Sequence, residues 1–259
     1  MTLAGRKRVT YILDLAKENK PDLLACAGWS LCSIDDLTKL ADKSINIGHT
    51  TYLVEVHHDS DLFRRGHPLS HLYRKPEDIP SHVIYAINGG HSTRLGTQLF
   101  ATSGELNSAQ GSERLKALEN STESRIFTVG DKTAFALCCG ELNVLKGRNS
   151  VACRSYTLDS KLRSVDITVN PTHDLMGNGG TLKAKRKHLS IPENGRSKIS
   201  ISISNWNICK LVGSGSKTIK QKQDSETLHT VYFNGDQVKP VGVLRKCGQY
   251  EFRKFEVEI

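Results

Sequence analysis

Apolar residues recur at Val9, Ile12, Leu13 and Ala16, the i, i+3, i+4, i+7 spacing of a helix with one buried face, and Pro21 forbids its continuation. A short apolar run, Asp22-Leu23-Leu24-Ala25-Cys26-Ala27, then ends at Gly28 and reads as a strand buried on both faces. Ser33 followed by Asp36 is a helix start, with Ile34, Leu37, Leu40 and Ala41 as its inner stripe. Thr51-Tyr52-Leu53-Val54-Glu55-Val56 is β-branched and aromatic, the composition of a strand. Gly66, Pro68, Pro76 and Pro80 break any period over residues 57–81, which is expected to be an exposed insertion loop.

Strands are expected at His82–Ile87 and Gln98–Thr102, with a polar stretch and one short helix around Leu115 and Leu118 after them. Ile126–Val129, Gly130-Asp131 and Lys132–Cys139 form a hairpin signature, with glycine at the first loop position of a type II′ turn. Its second strand is almost continuously apolar and belongs in a sheet interior. Val165, Ile167 and Val169 alternate up to Asn170-Pro171, ahead of a loop, Thr172-His173-Asp174. Leu182–Leu189 reads as a helix. Ile199, Ile201 and Ile203 alternate with serines, predicting a strand with one buried and one polar face. Thr230–Phe233, a turn at Asn234-Gly235-Asp236 and Tyr250–Val257 close the chain. Helices and strands interleaved with hairpins predict an α/β sandwich with a mixed sheet.

The 259 residues, 37% of them hydrophobic, suffice for one substantial core, expected as one domain over residues 1–259. No run approaches the ~18 apolar residues of a membrane span, and no apolar run follows the basic N-terminus, so the reading is a soluble, cytoplasmic protein without a membrane partner. The seven cysteines are scattered, with no paired spacing, as free thiols in a reducing compartment. Residues 181–222 carry ten Lys/Arg against one acid, Glu193, while the rest of the chain holds 26 of each sign. That basic segment is a candidate surface for a nucleic acid or an acidic protein, with Lys183, Lys185, Arg186 and Lys187 as its polyanion-binding residues.

Chemistry is suggested where the apolar strand Phe135-Ala136-Leu137-Cys138-Cys139 stops at Gly140-Glu141. Glycine permits a sharp bend there, and the next backbone N–H can face an oxyanion. His57, His58, Asp59, Asp61, His67 and His71 match no established metal spacing and read as a solvated loop. Gly213-Ser214-Gly215-Ser216-Lys217-Thr218 lacks the spacing of a phosphate loop. Neither a metal nor a cofactor is expected.

The order of these elements, with Phe135–Glu141, Asp166-Ile167-Thr168-Val169-Asn170-Pro171, Leu182-Lys183-Ala184-Lys185-Arg186 and Ile201–Asn205, resembles the carbon–nitrogen hydrolase, or nitrilase, superfamily over about residues 8–257. The resemblance implies an α-β-β-α sandwich and a Glu–Lys–Cys set, in which the cysteine forms a thioester or thioimidate. Cys139 takes the nucleophile's place. The glutamate's place holds Ala27-Gly28-Trp29, and the lysine's, within Gln98–Leu106, holds no lysine. Glu105 and Glu141 are candidate replacement bases, and Lys132 or His173 a candidate donor.

The family's initial strand has no counterpart, so the chain is expected to be one piece of a longer polypeptide, a homo-oligomer, or part of a larger assembly. Two functions follow: a degenerate nitrilase-like binding or scaffold domain using its basic surface, or an active thiol hydrolase of a small amide or nitrile with a rearranged site around Cys139. A nucleic-acid-binding protein of unrelated fold rests on charge alone.

Overall fold

The computed structural model describes residues 3–58, 60–173, 179–204, 229–247 and 250–258. Helix α1 (Leu3–Asn19) leads into strand β1 (Leu23–Ala25), α2 (Ile34–Ser44), β2 (Thr51–His57) and α3 (Asp61–Arg65). Strands β3 (His82–Asn88) and β4 (His91–Thr97) form a hairpin, followed by α4 (Ser103–Asn107) and α5 (Gly111–Asn120). Next come β5 (Ile126–Val129), β6 (Lys132–Ala136), the short pair β7 (Leu145–Lys146) and β8 (Ala152–Cys153), α6 (Tyr156–Ser164), β9 (Ile167–Thr172), α7 (Gly179–Leu189) and β10 (Ile199–Ser204). Strands β11 (Thr230–Phe233), β12 (Asp236–Val238), β13 (Gly242–Cys247) and β14 (Tyr250–Lys254) complete it.

Two large sheets form among the described residues, in the orders β1-β2-β3-β4 and β12-β11-β10-β9-β6-β5, with β7-β8 and β13-β14 as separate two-stranded pairs. Three apolar clusters define the layers. Val9, Ile12 and Leu13 of α1 and Leu37 and Leu40 of α2 pack on Tyr52, Val54 and Val56 of the first sheet. Leu53, Ile84 and Leu95 meet Phe127, Ala134, Ala136 and Val169 between the sheets. Leu118, Leu158, Leu162 and Leu189 of the second helical layer cover Phe135. The molecule is therefore an α-β-β-α sandwich. In the second sheet β6, β9 and β10 run parallel, and in the first β1 and β2 do. No helix among the described residues is long and apolar enough to cross a membrane.

The sequence patterns locate most elements. Ser33 caps α2, accepting from Asp36 N, while the Asp36 carboxylate reaches back to Cys32 N at 3.2 Å. In the β5–β6 turn Gly130 has φ +59° and Asp131 has no positive φ, as a type II′ turn requires. Three expectations need correction. The partner of β3 is the polar strand His91–Thr97 at the sheet edge, while 98–102 forms no strand; four of β4's first residues face water, so no apolar alternation marks it. The serine face of β10 is also covered: Ser200, Ser202 and Ser204 are buried. Segment 57–81 is anchored rather than wholly exposed, with Leu69 in the core and buried His67 bonded to Gln98 O at 2.9 Å and Leu69 N at 3.1 Å.

A candidate Cys-His-Glu active site

Side chains alternate across a strand, so Leu53, Glu55 and His57 of β2 share one face, as do His82, Ile84 and Ala86 of β3. Leu53, Ile84 and Ala86 belong to the cluster between the sheets, which turns Glu55 and His82 toward the second sheet. There β6 and β9 run parallel, and the segments leaving their carboxyl ends carry Cys139 and His173. Functional groups gather at the carboxyl ends of parallel strands because the loops leaving them are free to diverge.

The geometry joins three of these groups in series. His173 Nε2 contacts Glu55 Oε1, and that carboxylate oxygen also accepts Trp29 N–H at 2.9 Å. The Cys139 Sγ accepts the His173 backbone N–H at 3.3 Å, which sets the thiol beside the imidazole. Burial works against a charged His173 ring, but hydrogen bonds to Cys139 and Glu55 and the Glu55 charge outweigh it, and its pKa is raised from 6.5 to about 9. Burial likewise opposes the Glu55 charge, yet His173, His82 and the Trp29 N–H hold its carboxyl below the usual value. His82 stands edge-on to His173, ring centroids 4.4 Å apart, and its Nε2 bonds Gln98 Oε1 at 2.8 Å.

Trp29 forms the outer wall. Its indole stacks on His173 at 4.6 Å, and its backbone sits at φ +56°, a costly conformation for an aromatic residue. With Arg8, Leu31, Cys32 and His57 it lines an open cavity of ≈ 320 Å³. Gly28 is required beside it, since a Cβ there would lie 2.0 Å from the His173 ring. The space beside Gly28 is thus filled by an imidazole, and the carboxylate that meets it arrives from β2.

The turn after β6 presents Cys139. Gly140 has φ +79°, and a Cβ on it would lie 2.4 Å from Ala101 O. Gly140→Ala is expected to lose about 1–2 kcal/mol from the left-handed backbone, and more from the contact with Ala101 O, read by urea denaturation.

Behind the turn, Arg125 donates to both oxygens of Glu141, at 2.6 and 3.0 Å, with both side chains fully buried. The same oxygens accept Cys138 N–H at 2.7 Å and Leu99 N–H at 3.0 Å. Arg125 reaches Thr97 O at 3.0 Å in the first sheet and Ala136 O at 3.3 Å in the second. Although burial disfavours its charge, Glu141 and Cys138 raise the Arg125 pKa.

Of the expected site residues, the structure brings Cys139 and His173 together and leaves the two glutamates elsewhere. Glu141 has both oxygens committed to the clamp and cannot serve as a base. Glu105 caps α4, accepting Ala101 N at 2.6 Å and Thr102 N at 2.9 Å, with Thr102 closing the capping box. Lys132 pairs with Asp131 at 3.3 Å in the hairpin turn. Cys138 lies inside the sandwich, where burial raises its pKa well above the usual thiol value, so the two adjacent cysteines are chemically distinct.

The basic helix is likewise divided. Lys183 and Lys187 are exposed, but Lys185 is buried and bonded to Asn143 at 3.0 Å, and Arg186 is buried and bonded to Thr230 at 3.0 Å, so these two face no external polyanion. The remaining bases from 210 to 222, and the 213–218 loop, lie outside the described residues. The histidines of 57–71 disperse: His57 bonds Ser81, and His71 bonds Glu113. Glu55 and His82 are the site residues that sequence reasoning missed. Their signal was a carboxylate in an otherwise apolar interior strand and a histidine opening another.

No protein-family model and no curated protein sequence matches the chain. Its course is similar to that of glutamine-dependent NAD+ synthetase from Acinetobacter baumannii, at 10% identity and TM-score 0.48, covering 98% of this chain and 41% of that one. It is also similar to a CN-hydrolase superfamily protein from Xanthomonas campestris, at 10% identity and TM-score 0.44, covering 97% of this chain and 80% of that one. The chain spans less than half the length of the synthetase.

Proposed function

We propose that the chain is a thiol-dependent hydrolase of a carbon–nitrogen bond in a small amide or nitrile, with a Cys139–His173–Glu55 set in place of the Glu–Lys–Cys set of the nitrilase superfamily. The Cys139 thiol held on the His173 backbone, with the His173 ring bonded to the buried Glu55 carboxylate, carries this reading, because these are the nucleophile, acid–base and orienting group that acyl transfer requires. Below about pH 9 the ring holds its proton, which makes it the acid of the first step.

For an amide, the Cys139 thiolate attacks the carbonyl carbon and a C–S bond forms. The Gly140 N–H, next along the turn, is the proposed donor to the developing oxyanion. His173 passes its proton to the leaving nitrogen as the C–N bond breaks. The neutral ring then takes a proton from water, hydroxide attacks the thioester carbon, and the C–S bond breaks to restore thiolate and imidazolium. Glu55 stays ionised throughout and holds the ring in place.

Iodoacetamide tests this near pH 7. Cys139 is expected to react on the order of 10–100 times faster than exposed Cys32, and Cys139→Ala to abolish the fast phase, as followed by peptide mass spectrometry. Uniform slow labelling of the cysteines would exclude the enzyme. The binding or scaffold reading keeps Lys183 and Lys187 as an exposed pair on α7, with cytoplasmic placement and assembly into a larger body as parts of the same proposal.

A further inference from the structure

One ligand atom each from Glu55, His82 and His173 lies within 4.8 Å of the others, all three residues being largely buried. Donors around a zinc-class ion sit about 2.0–2.2 Å from it, which places them within roughly 4.5 Å of one another. Two independent features suit these side chains to that task. Glu55 Oε2 is buried without a hydrogen-bond partner among the described residues, an oxygen with an unused lone pair beside two imidazoles. His82 donates its Nε2–H to the Gln98 amide oxygen at 2.8 Å, which fixes the tautomer and leaves the Nδ1 lone pair free. A ligating histidine is commonly held in this way through its other nitrogen.

We propose that Glu55, His82 and His173 bind one divalent transition-metal ion of the zinc class, through a His-His-Glu donor set with water completing the coordination. Two imidazoles and a carboxylate select zinc, cobalt or nickel over calcium or magnesium, which prefer oxygen alone. Binding replaces the proton between His173 Nε2 and Glu55 with the metal. A neutral His173 ligating through Nε2 then carries its proton on Nδ1, so it has no free lone pair with which to take a proton from Cys139. Metal occupancy and thiol catalysis are mutually exclusive uses of one imidazole. The metal site does not rest on the thiol reading, since its donors include no sulfur.

The test is Co2+ titration of the full-length, metal-stripped chain, followed by visible d–d absorption and by melting temperature. One Co2+ per chain, intense bands of low-symmetry coordination and a higher melting temperature are expected. Cys139→Ser should retain them, whatever its effect on labelling. His82→Ala should weaken binding about 100-fold or more, and Gln98→Leu about 10–100-fold through loss of the histidine's anchor. Absence of both bands and melting shift in the wild type, which needs no variant to fold, would overturn the site; so would unchanged affinity in a folded His82→Ala protein.

Discussion

Arg125→Met is expected to destabilise the protein by about 3–5 kcal/mol, because it leaves the Glu141 carboxylate charged, fully buried and without its bidentate partner. That is a large share of the roughly 5–15 kcal/mol by which a domain is stable, so the variant should unfold at a clearly lower urea concentration. The loss is also structural, since Arg125 spans from Thr97 O in the first sheet to Ala136 O in the second. Arg125→Met combined with Glu141→Leu removes both charges and should recover part of the loss. Recovery stays partial, because the Cys138 and Leu99 amides then lose their acceptor. Urea denaturation of the two variants decides the matter. A single variant within 1 kcal/mol of wild type, or a double variant worse than the single, would show that the clamp does not hold the layers.

Glu55→Gln is expected to slow the Cys139-dependent reaction by on the order of 10²–10⁴, with little change in fold. The amide oxygen can still accept from Trp29 N–H and from the ring, so the substitution removes charge while retaining shape. The pH dependence follows from the same contact. The folded ring's pKa is raised from 6.5 to about 9, so its charge contributes stability that is fully present below 6.5 and lost as pH rises through about 9. In Glu55→Gln the melting temperature should fall mainly below that window, converging on wild type above it. The alkaline limb of the hydrolysis rate profile, where His173 loses the proton it gives the leaving nitrogen, should move to lower pH. A variant with wild-type rate and an unmoved profile would remove Glu55 from the reactive series and leave His173 acting alone.

The element order was legible because local chemistry and packing agree along most of the chain: the α1 stripe, the Ser33 cap, the Gly130 turn and the apolar β6 each specify their own geometry. Strand β4 was not legible, since an edge strand with His91, Ser92, Thr93 and Arg94 toward water carries no buried alternation. The site was half legible. Cys139 and His173 stand at strand ends, where a break in pattern marks them. Glu105 and Glu141 looked like bases because sequence shows where a carboxylate lies but not what already occupies its oxygens. Glu55 was overlooked for the opposite reason, as its meaning depends on His173, 118 residues away along the chain. Burial of Lys185 and Arg186 illustrates the same limit, because a run of positive charge in sequence does not say which members the helix turns inward.

Trp29, stacked on the His173 ring at 4.6 Å, has one further consequence. A protonated imidazole withdraws excited-state electron density from an indole, whereas a neutral one does so weakly. The wall of the cavity is therefore also an optical gauge, its emission dimming or brightening with the electrical state of the group beneath it.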